Sequence, residues 1–184
     1  LKPSADRVVP ACLHAGACGG CQARHIRYPR TLELKRQVVV DALTRIGGVE
    51  APDVRPTLGC DTPDRTRNKA EYPIARQDGH AVIGAFARGS HRVIPLTDCL
   101  LQRPQSAEAL RWFSKHLDGL DCAGHLKYLV TRVSREGALM LILCADAPIL
   151  PEVQRLSPAL AEALPSLRSL WLCQLNRRPA HALD

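Results

Sequence analysis

Three cysteines fall within ten positions near the N-terminus, Cys12, Cys18 and Cys21, in the C-x5-C-x2-C spacing of "ACLHAGACGGCQARH". Thiolates are soft ligands, and three of them on a short loop can converge on zinc or on an iron–sulfur cluster. Gly19-Gly20 lets the backbone between the last two fold tightly and turn amides toward sulfur. A closed tetrahedral site needs a fourth ligand. Cys99, in "IPLTDCLLQ", is the first candidate because it follows a strand and begins a loop. Cys60, in a proline-rich loop, is the second, and His14 or His25 could take one position. Spacing alone leaves zinc and iron–sulfur open, with buried or redox thiols as the plainer reading.

The chain has eight cysteines in all. It shows no secretion signal, and Cys60, Cys99, Cys122, Cys144 and Cys173 are scattered, so a reducing cytoplasm is expected over a disulfide framework. Cys144 and Cys173 lie in apolar strand patterns and are expected in the core. Cys60 and Cys122 read as loop thiols with no obvious base nearby, so no catalytic residue is assigned.

The elements that must position these residues follow from periodicity. Residues 1–27 have no sustained period and read as a loop wrapped around something. From Tyr28-Pro29 onward, Leu32, Leu34, Val38, Val39, Ala42, Leu43 and Ile46 recur at helical spacing, with Gly47-Gly48 as the stop. Three prolines mark residues 49–66 as a long loop. A hairpin about Asp78-Gly79 joins strands over 70–74 and 82–86, and a turn at Arg88-Gly89-Ser90 leads into Val93-Ile94. Next come a helix over 104–118, two strands about Glu136-Gly137, a helix over 151–164 and a strand near 168–175. Hairpins followed by helices predict an α+β fold with a mostly antiparallel sheet, helices packed on it and an N-terminal Cys-rich loop. The length of 184 residues suits one compact unit with an irregular N-terminal piece, divided as a cluster-binding loop over 1–27 and an α+β domain over 28–184. Both ends read as cut, because residues 177–184 follow an apolar stretch and stop without a terminating element, so a piece of a larger protein is expected.

Lysine and arginine number 25 against 18 acidic residues, for a net charge of +7, and most of the cations are arginine. Guanidinium forks match phosphates and base edges, which favours a nucleic-acid partner; an arginine-rich proteome is the competing explanation. Aromatics make up only 4%, which disfavours a broad stacking platform. No apolar run is long enough to span a bilayer, so no membrane is expected. The turn-borne residues Arg67, Asn68, Lys69, Arg88, Ser90, His91 and Arg92 are candidate phosphate contacts, with a solvated charged turn as the alternative for each.

Taken in order, "CxxxxxCGGCQxxH", "YxxxLxxKRxxVxxALxRIGG", "RNKAEYPI" and "GAFARGSHRVIPLTDCLLQ" resemble, nearly end to end, the RNA (uracil-5-)-methyltransferase family, in its cluster-bearing branch that modifies 23S ribosomal RNA. The resemblance implies the central domain of such an enzyme, with a TRAM domain before it and an S-adenosylmethionine-binding Rossmann-type domain after it. It implies a [4Fe-4S] cluster on Cys12, Cys18, Cys21 and Cys99, in agreement with the choice of Cys99 above. It implies 23S ribosomal RNA as partner, a monomer in the cytoplasm, and methyl transfer to C5 of uracil after a thiolate adds to C6, with nucleophile, base and cofactor loop in the absent domain. This segment by itself is then expected to be inactive, and no G-x-G-x-x-G occurs in it. Arg67-Asn68-Lys69 match the family's RNK segment. Gln22 is either an RNA contact or a brace for the cluster loop, with bracing preferred, and the cluster is expected to act as a structural clasp. The competing classes are a stand-alone zinc-bound RNA-binding module without enzymatic activity and an iron–sulfur electron carrier.

Overall fold

The computed structural model describes residues 2–175 and divides the chain into two compact units, Leu1–Ala15 with Cys21–Pro63, and Gly16–Gly20 with Asp64–Asp184. The tail discussed above, residues 177–184, lies outside the described residues.

In the first unit, α1 (Tyr28–Asp41) starts with proline in its first turn, where a missing N–H costs nothing, and passes into a π-helical turn over Ala42–Ile46. The periodicity of "YPRTLELKRQVVVD" does form a helix, but its apolar residues are not a core face: none of α1 is fully buried, and Val38 is 68% exposed. The unit is tied at both ends of α1. Arg27 donates to Asp6, the amide of Val8 donates to the His25 carbonyl at 2.9 Å, and the Tyr28 hydroxyl accepts the Cys60 amide at 2.8 Å. Arg36 Nε donates to the Val54 carbonyl at 2.7 Å, holding the proline-rich return segment.

The second unit is a six-stranded sheet in the order β3-β2-β1-β4-β5-β6, formed by β1 (Lys69–Gln77), β2 (His80–Phe86), β3 (Val93–Pro95), β4 (Leu126–Val133), β5 (Leu139–Ala145) and β6 (Leu167–Gln174). Asp78 and Gly79 both take positive φ, 51° and 86°, the two-residue turn whose twist suits adjacent strands, so β1 and β2 pair with Gln77 opposite His80. The pairs from β3 to β5 are antiparallel, whereas β5 and β6 run parallel, so the expected mostly antiparallel sheet is in fact mixed. The reason is α3 (Leu150–Ala163), which carries the chain back across the sheet before β6 and so makes the last connection a crossover.

Strand alternation divides the side chains between two faces. On one face α2 (Pro104–His116) and α3 bury Ala109, Leu110, Phe113, Val153 and Leu160 against Tyr72, Ile83, Leu129, Leu141 and Leu143. On the other, a small cluster forms from Val130 and Cys144 with Tyr128, Ile142 and Cys173 around them. Cys144 is thus in the core as expected, while Cys173 is only half-buried. Cys122 departs from its reading as a loop thiol: it is 3% exposed, in a turn packed under the helices. Among the described residues no helix is long and apolar enough to cross a membrane.

Candidate functional site

Two short segments of the second unit hold candidate ligands. The stretch Gly16–Gly20 lies along the exit of β2: Cys18 forms an antiparallel bridge with Ala87, the Gly19 amide donates to the Phe86 carbonyl at 2.8 Å, and the Arg88 amide donates to the Ala17 carbonyl at 3.2 Å. Within it the Gly20 amide points at Cys18 Sγ at 3.4 Å, an N–H to sulfur contact of the kind that stabilises a thiolate ligand. The double glycine therefore turns an amide onto sulfur as its spacing suggested.

Cys99 lies in the loop after β3 and is held by its backbone. Its amide donates to Asp98 Oδ1 at 2.8 Å, and its carbonyl accepts the Gln102 amide at 3.0 Å and Arg65 Nη1 at 3.0 Å. Arg65 also grips Asp98 with both guanidinium nitrogens, which keeps the Asp98 carboxyl below its ordinary range. Neither Arg65 nor Asp98 stands out in the sequence; the pairing becomes visible only once the loops of 64–68 and 96–103 run side by side, with Arg65 and Arg67 amides donating to the Leu100 and Leu101 carbonyls at 2.7 and 2.8 Å.

Cys12 and Cys21 belong to the first unit, Cys18 and Cys99 to the second, and all four are half-buried, whereas Cys60 is exposed. Within the second unit, the half-buried thiols of Cys18 and Cys99, with an amide aimed at the first, are soft donors of the kind an iron–sulfur cluster or zinc takes. Among the described residues no three His, Cys, Asp or Glu side chains form a ready-made metal-holding group.

The cationic candidates gather at one end of the sheet of the second unit. Arg67, Asn68 and Lys69 enter β1, all exposed, with the Asn68 carbonyl accepting the Val133 amide at 2.8 Å. Arg88, Ser90, His91 and Arg92 form the exposed turn between β2 and β3, where the Ser90 hydroxyl accepts the Arg92 amide at 3.0 Å and the His91 ring meets Phe86 edge-on at 5.5 Å. Because β1 and β2 are antiparallel, the start of β1 and the end of β2 share that end. The register adds Arg132, exposed and directly opposite Lys69, which no sequence motif marks. Lys69 is ion-paired with Glu71 at 2.5 Å.

No family model matches the chain. Curated proteins do. The chain is 35% identical over 179 residues to an uncharacterized RNA methyltransferase of Clostridium tetani, covering 92% of this chain and 39% of that protein. It is 31% identical over 179 residues to an uncharacterized RNA methyltransferase of Halalkalibacterium halodurans, again 92% and 39%. It is 33% identical over 189 residues to one of Nostoc, 97% of this chain and 40% of the relative. The chain therefore spans about two-fifths of the length of the relatives it matches.

Proposed function

We propose that this chain, which belongs to the RNA methyltransferase family, is the central RNA-holding domain of a cytoplasmic, monomeric, S-adenosylmethionine-dependent enzyme that methylates C5 of a uracil in 23S ribosomal RNA. Cys12, Cys18, Cys21 and Cys99 would hold a [4Fe-4S] cluster, whose chemistry here is structural: four thiolate bonds that clasp the N-terminal loop. Binding methyl donor and target base falls to the remainder of the longer protein. What this chain's own residues do is grip phosphate. Arg67 and Lys69 at the entry of β1, and Arg88 and Arg92 in the β2–β3 turn, present guanidinium and ammonium groups at one end of one sheet, where they can meet phosphates of an unpaired RNA segment.

That grouping of exposed cations on a chain homologous to RNA methyltransferases is the observation that carries the reading. The test uses full-length protein and an unmodified 23S ribosomal RNA transcript in filter binding across a salt series. Arg88→Ala with Arg92→Ala is expected to weaken binding and to flatten the salt slope by about 0.7 to 0.9 per lost phosphate contact; an unchanged slope removes these residues from the interface. Iron and acid-labile sulfide are measured on anaerobically purified protein, where about four of each per chain are expected for a [4Fe-4S] cluster. One zinc and no sulfide would overturn the cluster.

A further inference from the structure

Beside the proposed phosphate grip lies a cleft of about 390 Å³ in the second unit, floored by Glu71, Pro73 and Tyr128 of the helix-free sheet face and walled by Phe86, Ser90 and the Gly19-Gly20 backbone. Its volume falls at the lower end of the range that takes a small planar molecule, about 300 to 1,000 Å³. The chain has two phenylalanines and three tyrosines, and one of each borders this cleft. Phe86 is braced edge-on by His91, so its ring is held rather than free to collapse inward.

The polar side chains that line it are few, Glu71, Ser90 and Tyr128, and Glu71 is the one charged group among them. Glu71, half-buried, lines the cleft and is an acceptor when ionised; its Oε1 takes the Lys69 ammonium, and a carboxylate has acceptor capacity beyond that one pair. Tyr128 shares the floor, and its hydroxyl is held in the protonated form first by burial and then by the nearby Glu71 carboxylate. A repulsive carboxylate beside a cationic, RNA-facing rim is costly for phosphate binding, and its place is explained if it meets a base rather than a backbone.

We propose that this cleft receives one unstacked nucleobase of the RNA, stacked against Phe86 or Tyr128 and read through an N–H on its edge by the Glu71 carboxylate. The proposal rests on the RNA reading above and adds to it a base-reading subsite in which the specificity comes from an acceptor. Only bases presenting an amino or imino N–H to that oxygen satisfy the site, since any edge offering a carbonyl there meets a carboxylate.

Glu71→Gln in the full-length protein separates this from a merely electrostatic role, because the two predict opposite signs. Neutralising a surface carboxylate and releasing Lys69 should leave binding to a 23S ribosomal RNA transcript equal or tighter. Loss of a charged base acceptor should weaken it, by about tenfold, with the thermal midpoint and the salt slope retained. Equal or tighter binding overturns the proposal. Ultraviolet cross-linking of the unaltered full-length protein to the same transcript gives a second measurement that needs no variant: an adduct on the peptide holding Phe86 or Tyr128 is expected, and adducts confined to other peptides overturn the subsite. If the transcript does not bind at all, the RNA reading itself fails; if it binds with a salt slope but without these two effects, only the base subsite fails.

Discussion

Arg65 and Asp98 form a two-point ion pair, Nη1 to Oδ1 at 2.8 Å and Nη2 to Oδ2 at 2.7 Å, and the same guanidinium reaches the Cys99 carbonyl at 3.0 Å. Arg65 is at φ +58°, a left-handed conformation that costs a non-glycine residue energy, and this grip on a neighbouring loop is what offsets it. The pair therefore fixes the loop that carries Cys99.

Asp98→Asn keeps an acceptor for the Cys99 amide but removes the charge. Both side chains are about one-third exposed, 34% and 38%, so solvent screening limits the loss to about 1 kcal/mol. The Asp98 carboxyl is lowered in the folded state, chiefly by the Arg65 hydrogen bonds, below its ordinary 3.8. Its contribution is therefore complete above that value and is lost as the pH falls through the folded-state value. Denaturant unfolding of both proteins should show the full difference at pH 7 and a shrinking one below about pH 4.

Ser106 of α2 and Thr131 of β4 are both fully buried and share a hydrogen bond at 2.7 Å, the polar tie between a helix and the sheet. Thr131→Val should cost about 1 to 3 kcal/mol because the Ser106 hydroxyl loses that partner in an apolar setting. Adding Ser106→Ala should recover much of the loss, and a double-mutant cycle by denaturant unfolding reads the coupling directly.

Gly84 in β2 has no room for a side chain. A Cβ there would lie 1.8 Å from the Ile94 carbonyl oxygen and 2.9 Å from the Leu96 amide nitrogen, both backbone atoms of the β3 segment. Gly84→Ala should therefore force β3 off the sheet edge, at a cost of about 3 kcal/mol or more, and raise hydrogen exchange at the Ala87 and Leu96 amides, which donate to the Arg92 and Ile83 carbonyls across this edge.

Thiol reactivity should separate the cysteines. Burial, and then the neighbouring Cys173, push the Cys144 thiol up to about 12, while Cys60 is exposed. In native protein at pH 8, iodoacetamide should label Cys60 first and leave Cys144 unlabelled until denaturant is added, as read by peptide mass spectrometry. Early labelling of Cys144 would contradict its core placement.

Much of the second unit was legible in one dimension. The Asp78-Gly79 turn, the Glu136-Gly137 turn and the order of strands and helices follow from local chemistry, because turn dihedrals and side-chain period are set by neighbours a few residues apart. Helical spacing predicted the α1 helix, but burial depends on what arrives to cover it, and Val38 remains exposed.

By itself, the sequence determined the helix and hairpin positions, the thiol-rich loop and the excess of arginine, since these depend on residue type and short-range spacing. Tertiary structure alone decided the parallel pairing of β6, the Arg65–Asp98 grip on the Cys99 loop, Arg132 opposite Lys69, and the cleft of Glu71, Phe86 and Tyr128. Each of these joins residues from strands or loops distant in the chain, and their meeting depends on register and crossover, which no local propensity encodes.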